Sequence, residues 1–232
     1  MSPSTSAVPI HVDLVTPDLA AAQDFYAALL GWTFTGTDGP TQAFADDVPA
    51  ATLRTGDAPA AWQTTFAVTG AGHATATAAA ATVDGDEIRD PLGASLRLRQ
   101  DAGPGTPPGP GRPCWYEYMT TDAATADRFL ADALALHATV PPGAPDDMYA
   151  LLIADGRPVG GRLAMPAELA AILPTGWMVY FMVPDPDAAA ERVASLGGRL
   201  LVPPRDVATG RVVALADPSG ATFTVIRPAP PA

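Results

Sequence analysis

Hydrophobic and polar positions alternate in short runs along this chain, and each run is interrupted by an alanine-rich stretch with helical spacing. Ile10-His11-Val12-Asp13-Leu14-Val15 and Cys114-Trp115-Tyr116-Glu117-Tyr118-Met119 have the two-residue period of strands. Leu19, Ala22, Phe25, Tyr26, Leu29 and Leu30 recur at the spacing of one helix face. Asp18 and Asp122 stand where a helix N-cap carboxylate would accept unpaired backbone N–H groups, and Gly31 suits the C-terminal stop.

The pattern then repeats. Strand-like runs follow at Trp32–Thr37, Thr41–Ala45 and Ala50–Thr55 in the first half, and at Met148–Ala154 and Pro158–Ala164 in the second. New openings appear at Trp62–Val68 and Trp177–Val183, each leading into a further alanine-rich helix. Asp90-Pro91-Leu92-Gly93 and Asp217-Pro218-Ser219-Gly220 precede the closing strands Ala94–Arg99 and Ala221–Arg227, as type I turns would. One unit, strand–helix–strands, is therefore used four times, over about 9–56, 62–100, 113–165 and 176–227. The second is short: between Trp62 and Asp90 there is too little chain for the strand pair that Gly198–Val202 and Arg211–Ala216 provide in the fourth, so one strand is expected to be lost.

The stretch 101–112, DAGPGTPPGPGR, is too rich in proline and glycine for helix or sheet and reads as a linker. The predicted organisation is a tail at 1–8, a domain at 9–100, the linker, a second domain at 113–228 and a tail at 229–232. The fold class is α+β.

Composition narrows the function. Of the 232 residues 48% are hydrophobic, so the formal charge of −12 does not make the chain a disordered polyanion. All 13 basic residues are arginine, and they are scattered, which argues against nucleic acid. A single cysteine, Cys114, excludes an internal disulfide and a cysteine-rich zinc site. No signal-peptide or membrane-length apolar run is present, so a cytoplasmic protein without a membrane partner is expected, as monomer or homodimer.

His11-x-x-Leu14 with Asp18-Leu19, then Phe25-Tyr26 and Leu30-Gly31-Trp32, ending in Asp-Pro-x-Gly and a strand, resembles the vicinal-oxygen-chelate (glyoxalase, bleomycin-resistance and dioxygenase) superfamily. Pro113-Cys114-Trp115 and Gly156–Gly161 resemble its tandem glyoxalase-like form of actinobacterial type. The resemblance spans most of the chain and implies four βαβββ modules whose curled mixed sheets form cups with helices outside. In metal-dependent members, the resemblance implies, ligands sit on the first and last strands of paired modules. Here those positions hold His11, Gln63 and Arg97 in one cup, and Trp115, Met178 and Thr224 in the other. Two neutral donors beside a fixed cation make a poor site, so neither metal nor other cofactor is expected.

Strand alternation places His11, Asp13, Gln63 and Arg97 in a polar first cup. It places Trp115, Glu117, Met178 and Thr224 in a more apolar second cup, and all eight are candidate ligand contacts. Asp13 and Arg97 suit an ion pair as well as a ligand contact, and His11 suits a core position as well as acid–base work. The leading expectation is a metal-independent protein that sequesters or carries a hydrophobic or aromatic compound, in specialised metabolism or drug resistance. The alternative is a metal-free isomerase, hydratase or cyclase using His11, Asp13 or Glu117 as acid or base. A metal-dependent lyase, hydroxylase or dioxygenase comes third, ahead of a purely structural role.

Overall fold

The computed structural model describes residues 7–36, 39–56, 59–100, 102–142 and 148–230. The first repeat comprises β1 (Val8–Thr16), α1 (Leu19–Leu30), β2 (Thr33–Thr35), β3 (Thr41–Ala45) and β4 (Val48–Thr55). The second comprises β5 (Ala61–Val68), α2 (Gly70–Ala79), β6 (Thr82–Asp84), β7 (Glu87–Arg89) and β8 (Ser95–Gln100). The third holds β9 (Pro113–Thr120), α3 (Ala123–Leu134), β10 (His137–Thr139), β11 (Tyr149–Ala154) and β12 (Arg157–Ala164), followed by the short α4 (Ala167–Ala170). The fourth holds β13 (Gly176–Met182), α5 (Pro186–Val193), β14 (Arg199–Val207), β15 (Gly210–Ala216) and β16 (Thr222–Pro228).

These strands make two eight-stranded mixed sheets in the same order, β2-β3-β4-β1-β5-β8-β7-β6 and β10-β11-β12-β9-β13-β16-β15-β14. The sheets are not closed into barrels. The second repeat did not lose a strand, contrary to the sequence expectation. Both members of the pair are present, but at three residues each they form a minimal hairpin. β5 and Ala-rich α2 take up the chain as far as Ala79, which leaves only residues 80–89 for the pair and its turn at Gly85, with φ +57.

The helix ends follow local chemistry. Asp18 accepts from the Ala21 N–H at 2.9 Å, and Asp122 accepts from Thr125 at 3.0 Å. Gly31 stops α1 in the left-handed region; Ala135 takes the same conformation at the end of α3 although it carries a Cβ.

Packing divides the chain into two compact units that are not sequential halves. One gathers the described residues of Met1–His11, Gln63–Gly105 and Trp115–Trp177; the other gathers those of Val12–Trp62, Thr106–Cys114 and Met178–Ala232. In the first, α2 lies against α3, and Phe66, Val68, Ile88, Leu96 and Leu98 share a core with Tyr118, Phe129, Leu130 and Leu152. In the second, α1 lies against α5, and Phe25, Tyr26, Trp32, Trp62, Phe181 and Phe223 form a connected aromatic core. Much of the proline-rich stretch is pinned inside the second unit. Thr106 donates to the Pro49 carbonyl at 3.1 Å, Trp32 Nε1 donates to the Gly111 carbonyl at 2.6 Å, and Pro110 bridges Met182. No helix among the described residues is long and apolar enough to cross a membrane.

Each unit is closed by the same device. Asp90 Oδ1 accepts from the Leu92 and Ala94 N–H groups, and its second oxygen accepts from the Tyr118 hydroxyl. Asp217 does likewise with Ser219 and Ala221, while the Tyr26 hydroxyl donates to it at 3.2 Å. The two Asp-Pro-x-Gly aspartates therefore lock a turn and anchor a partner repeat at once.

Candidate functional site

Alternation along β9 sends Tyr118, 1% exposed, into the helix-packed core, so Trp115, Glu117 and Met119 take the opposite sheet face. In register beside them, Gly161 of β12 pairs with Glu117 and Leu163 with Met119. On the next strand Tyr149 pairs with Leu163 and Leu151 with Gly161. Trp115, Glu117, Met119, Tyr149, Leu151 and Leu163 thus form one largely apolar patch containing one acid.

That acid is 6% exposed. The Tyr149 hydroxyl donates to the Glu117 carboxylate, and Trp115 Nε1 donates to the Tyr149 oxygen at 3.2 Å. Burial, then the Glu117 charge, holds the Tyr149 phenol protonated well beyond its ordinary range. Tyr149 is accordingly a fixed donor, and the hydrogen bonds run one way from indole through phenol to carboxylate. Gly161 makes the arrangement possible. A Cβ there would overlap the Tyr149 hydroxyl and lie 2.7 and 2.9 Å from its ring.

Arg162, next along β12, points to the helix side. It is 3% exposed, holds Asp127 of α3 through Nε at 2.9 Å and Nη2 at 3.1 Å, and donates to the Met148 carbonyl at 3.3 Å. One guanidinium therefore ties β12 both to its helix and to the residue preceding Tyr149.

The face carrying β5, β7 and β8 is different in kind. Phe66, Leu96 and Leu98 enter the core, leaving Gln63, Thr65, Ser95, Arg97 and Arg99 on the other side. Glu87 sits beside Arg97 in register, and Gln63 Nε2 donates to Glu87 Oε2 at 3.0 Å. Its other oxygen lies 3.7 Å from Arg89.

Of the sequence candidates, His11, Gln63, Arg97, Trp115 and Glu117 fall in the first unit, and Asp13, Met178 and Thr224 in the second. His11 and Asp13 are half-buried on the strand face opposite fully buried Val12 and Leu14. Met178 and Thr224 are 2% and 4% exposed, with Tyr180 paired to Thr224 between β13 and β16. The sequence does not single out Glu87, whose three-residue strand shows no period, or Tyr149, for which the aromatic opening of β11 is the one available signal.

The described residues at the expected ligand positions do not fit a divalent cation. Arg97, a fixed cation, stands at the closing-strand position where the resemblance asks for a carboxylate, and Glu87 on the same face is already engaged by Gln63 and Arg89. Among the described residues no three His, Cys, Asp or Glu side chains gather in a metal-binding group.

Residues 9–225 match the family model described as Glyoxalase/Bleomycin resistance protein/Dioxygenase superfamily. The chain is 32% identical over 254 residues to CFP32 of Mycobacterium tuberculosis, which bears a glyoxylase name, covering 96% of this chain and 95% of that one. It is 33% identical over 132 residues to the anthracycline biosynthesis protein DnrV of Streptomyces peucetius, covering 51% and 47%. Its fold is similar to the Mn(II)-bound glyoxalase of Novosphingobium aromaticivorans, with TM-score 0.66, 16% identity and coverage of 96% and 83%. It is also similar to the 2,3-dioxygenase LapB of Pseudomonas sp. KL28, with TM-score 0.64, 16% identity and coverage of 99% and 96%.

Proposed function

The chain belongs to the Glyoxalase/Bleomycin resistance protein/Dioxygenase superfamily, and on that footing we propose that it binds a small aromatic or otherwise hydrophobic compound, without a metal, on the face made by Trp115, Glu117 and Tyr149. The observation that carries this reading is the oriented chain from Trp115 through Tyr149 to Glu117 within an otherwise apolar patch. An aromatic wall with a few convergent polar groups is the usual make-up of a small-molecule site. A carboxylate has about four acceptor positions, and the Tyr149 hydroxyl is one of the donors held by Glu117. A ligand hydroxyl or amine donating to it would gain a charge-assisted hydrogen bond. The half-chain likeness to an anthracycline biosynthesis protein supports an aromatic metabolite as the occupant.

A second reading, a metal-free isomerase, hydratase or cyclase, draws on the same geometry. Tyr149 is held protonated, so within this trio Glu117 is the group able to take a proton from a bound molecule. The experiment is a thermal-shift screen of hydroxylated and aminated aromatic compounds against EDTA-treated protein, with elemental analysis of the same preparation. Stabilisation of wild type but not of Glu117→Gln, with only substoichiometric Mn, Fe, Ni or Zn, supports metal-free binding at this face. Stabilisation that needs an added metal ion overturns it.

A further inference from the structure

The β5/β7/β8 face offers the opposite chemistry. Arg97 is half-buried on β8, flanked in register by Thr65 of β5 and Glu87 of β7. Glu87 is the natural counter-ion, yet it is engaged by Gln63 and Arg89 instead. Among the described residues the Arg97 guanidinium has neither hydrogen bond nor ion pair. Arg99, two residues on and facing the same way, is exposed and likewise without a partner among the described residues. A guanidinium has five donors in a planar fork, and partial burial makes an ionic contact stronger than at a free surface.

We propose that Arg97 receives the carboxylate of a small organic acid at a second binding face, formed by β5, β7 and β8 and separate from the Trp115–Glu117–Tyr149 face. Both faces belong to one compact unit but look away from its shared core, which lies on the helix side of both sets of strands. A singly charged carboxylate matches the fork in two-pronged geometry, with Thr65 and Gln63 lining its approach. The formal charge of −12 and the neighbouring Glu87 disfavour a doubly charged phosphate, so the site selects a monoanion.

Benzoate, inorganic phosphate and benzyl alcohol, each titrated calorimetrically into the full chain, test this. Benzoate is expected to saturate at one equivalent, with affinity falling at least tenfold in Arg97→Gln and unchanged in Arg128→Gln, an exposed α3 control. Arg97→Lys, which keeps the charge without the fork, is expected to bind several-fold more weakly than wild type, and urea midpoints verify that each variant folds. Equal benzoate affinity in wild type and Arg97→Gln overturns the site. Phosphate binding as tightly as benzoate overturns its assignment to a carboxylate, and benzyl alcohol binding as tightly overturns the role of charge.

Discussion

The Tyr149 hydroxyl donates to the Glu117 carboxylate and accepts from Trp115, so one phenol joins the acid to the aromatic wall. Removing that hydroxyl takes a buried hydrogen bond from each neighbour. Tyr149→Phe is expected to lower stability by about 1–3 kcal/mol at neutral pH, the usual cost of losing two such bonds. Glu117→Gln, whose amide oxygen still accepts from Tyr149, is expected to cost less. Urea unfolding of the two variants checks the order.

Gly161 is fixed by what occupies the space its side chain would fill. Gly161→Ala drives a methyl into the Tyr149 ring and is expected to cost about 1–3 kcal/mol, as overpacking does. In a Tyr149→Ala background the clash vanishes. The double-mutant cycle is therefore expected to return a coupling energy close to the whole cost of Gly161→Ala, and additivity would remove Tyr149 from that position.

Asp217 gives the fold a pH signature. Burial, the larger influence, raises its carboxyl above the usual range despite the N–H groups and Tyr26 that favour the charge. An acid with a raised folded-state pKa contributes stability that is complete below its unfolded value of about 3.9 and is lost as pH rises past it. Asp217→Asn does not titrate. Its stability relative to wild type is expected to increase from pH 3.5 upward, read as urea midpoints across the series; a decrease would contradict the assignment.

Cys114 donates to the Tyr180 carbonyl at 3.5 Å, and burial pushes its thiol up to about 12. Thiolate is the reactive form. Ellman's reagent at pH 8 is expected to label the native chain far more slowly than the chain in urea.

Much of this architecture was legible in the sequence, and the exceptions share a cause. Asp18, Asp122 and the two Asp-Pro-x-Gly turns announce themselves locally, because caps and turns are set by a few adjacent residues. The β6–β7 hairpin does not, since three-residue strands hold too few positions to show a period. Glu87 was invisible for that reason, and with it the partner of Gln63. The combination of second with third repeat, and of first with fourth, depends on which helix-side faces meet across distant chain; alternation says that a face is apolar, not what covers it. The Tyr149–Gly161 fit lies at the same level, a shape match between strands that composition does not encode.

The most direct test is a calorimetric titration of the most stabilising aromatic compound into wild type and Glu117→Gln, after EDTA treatment, with the compound recovered and weighed by mass spectrometry. One molecule per chain, an affinity at least tenfold weaker in the variant (about 1.4 kcal/mol) and a recovered compound of unchanged mass are expected. Equal affinity in the two proteins, or binding that returns only when metal is restored, would contradict a metal-free site at Glu117.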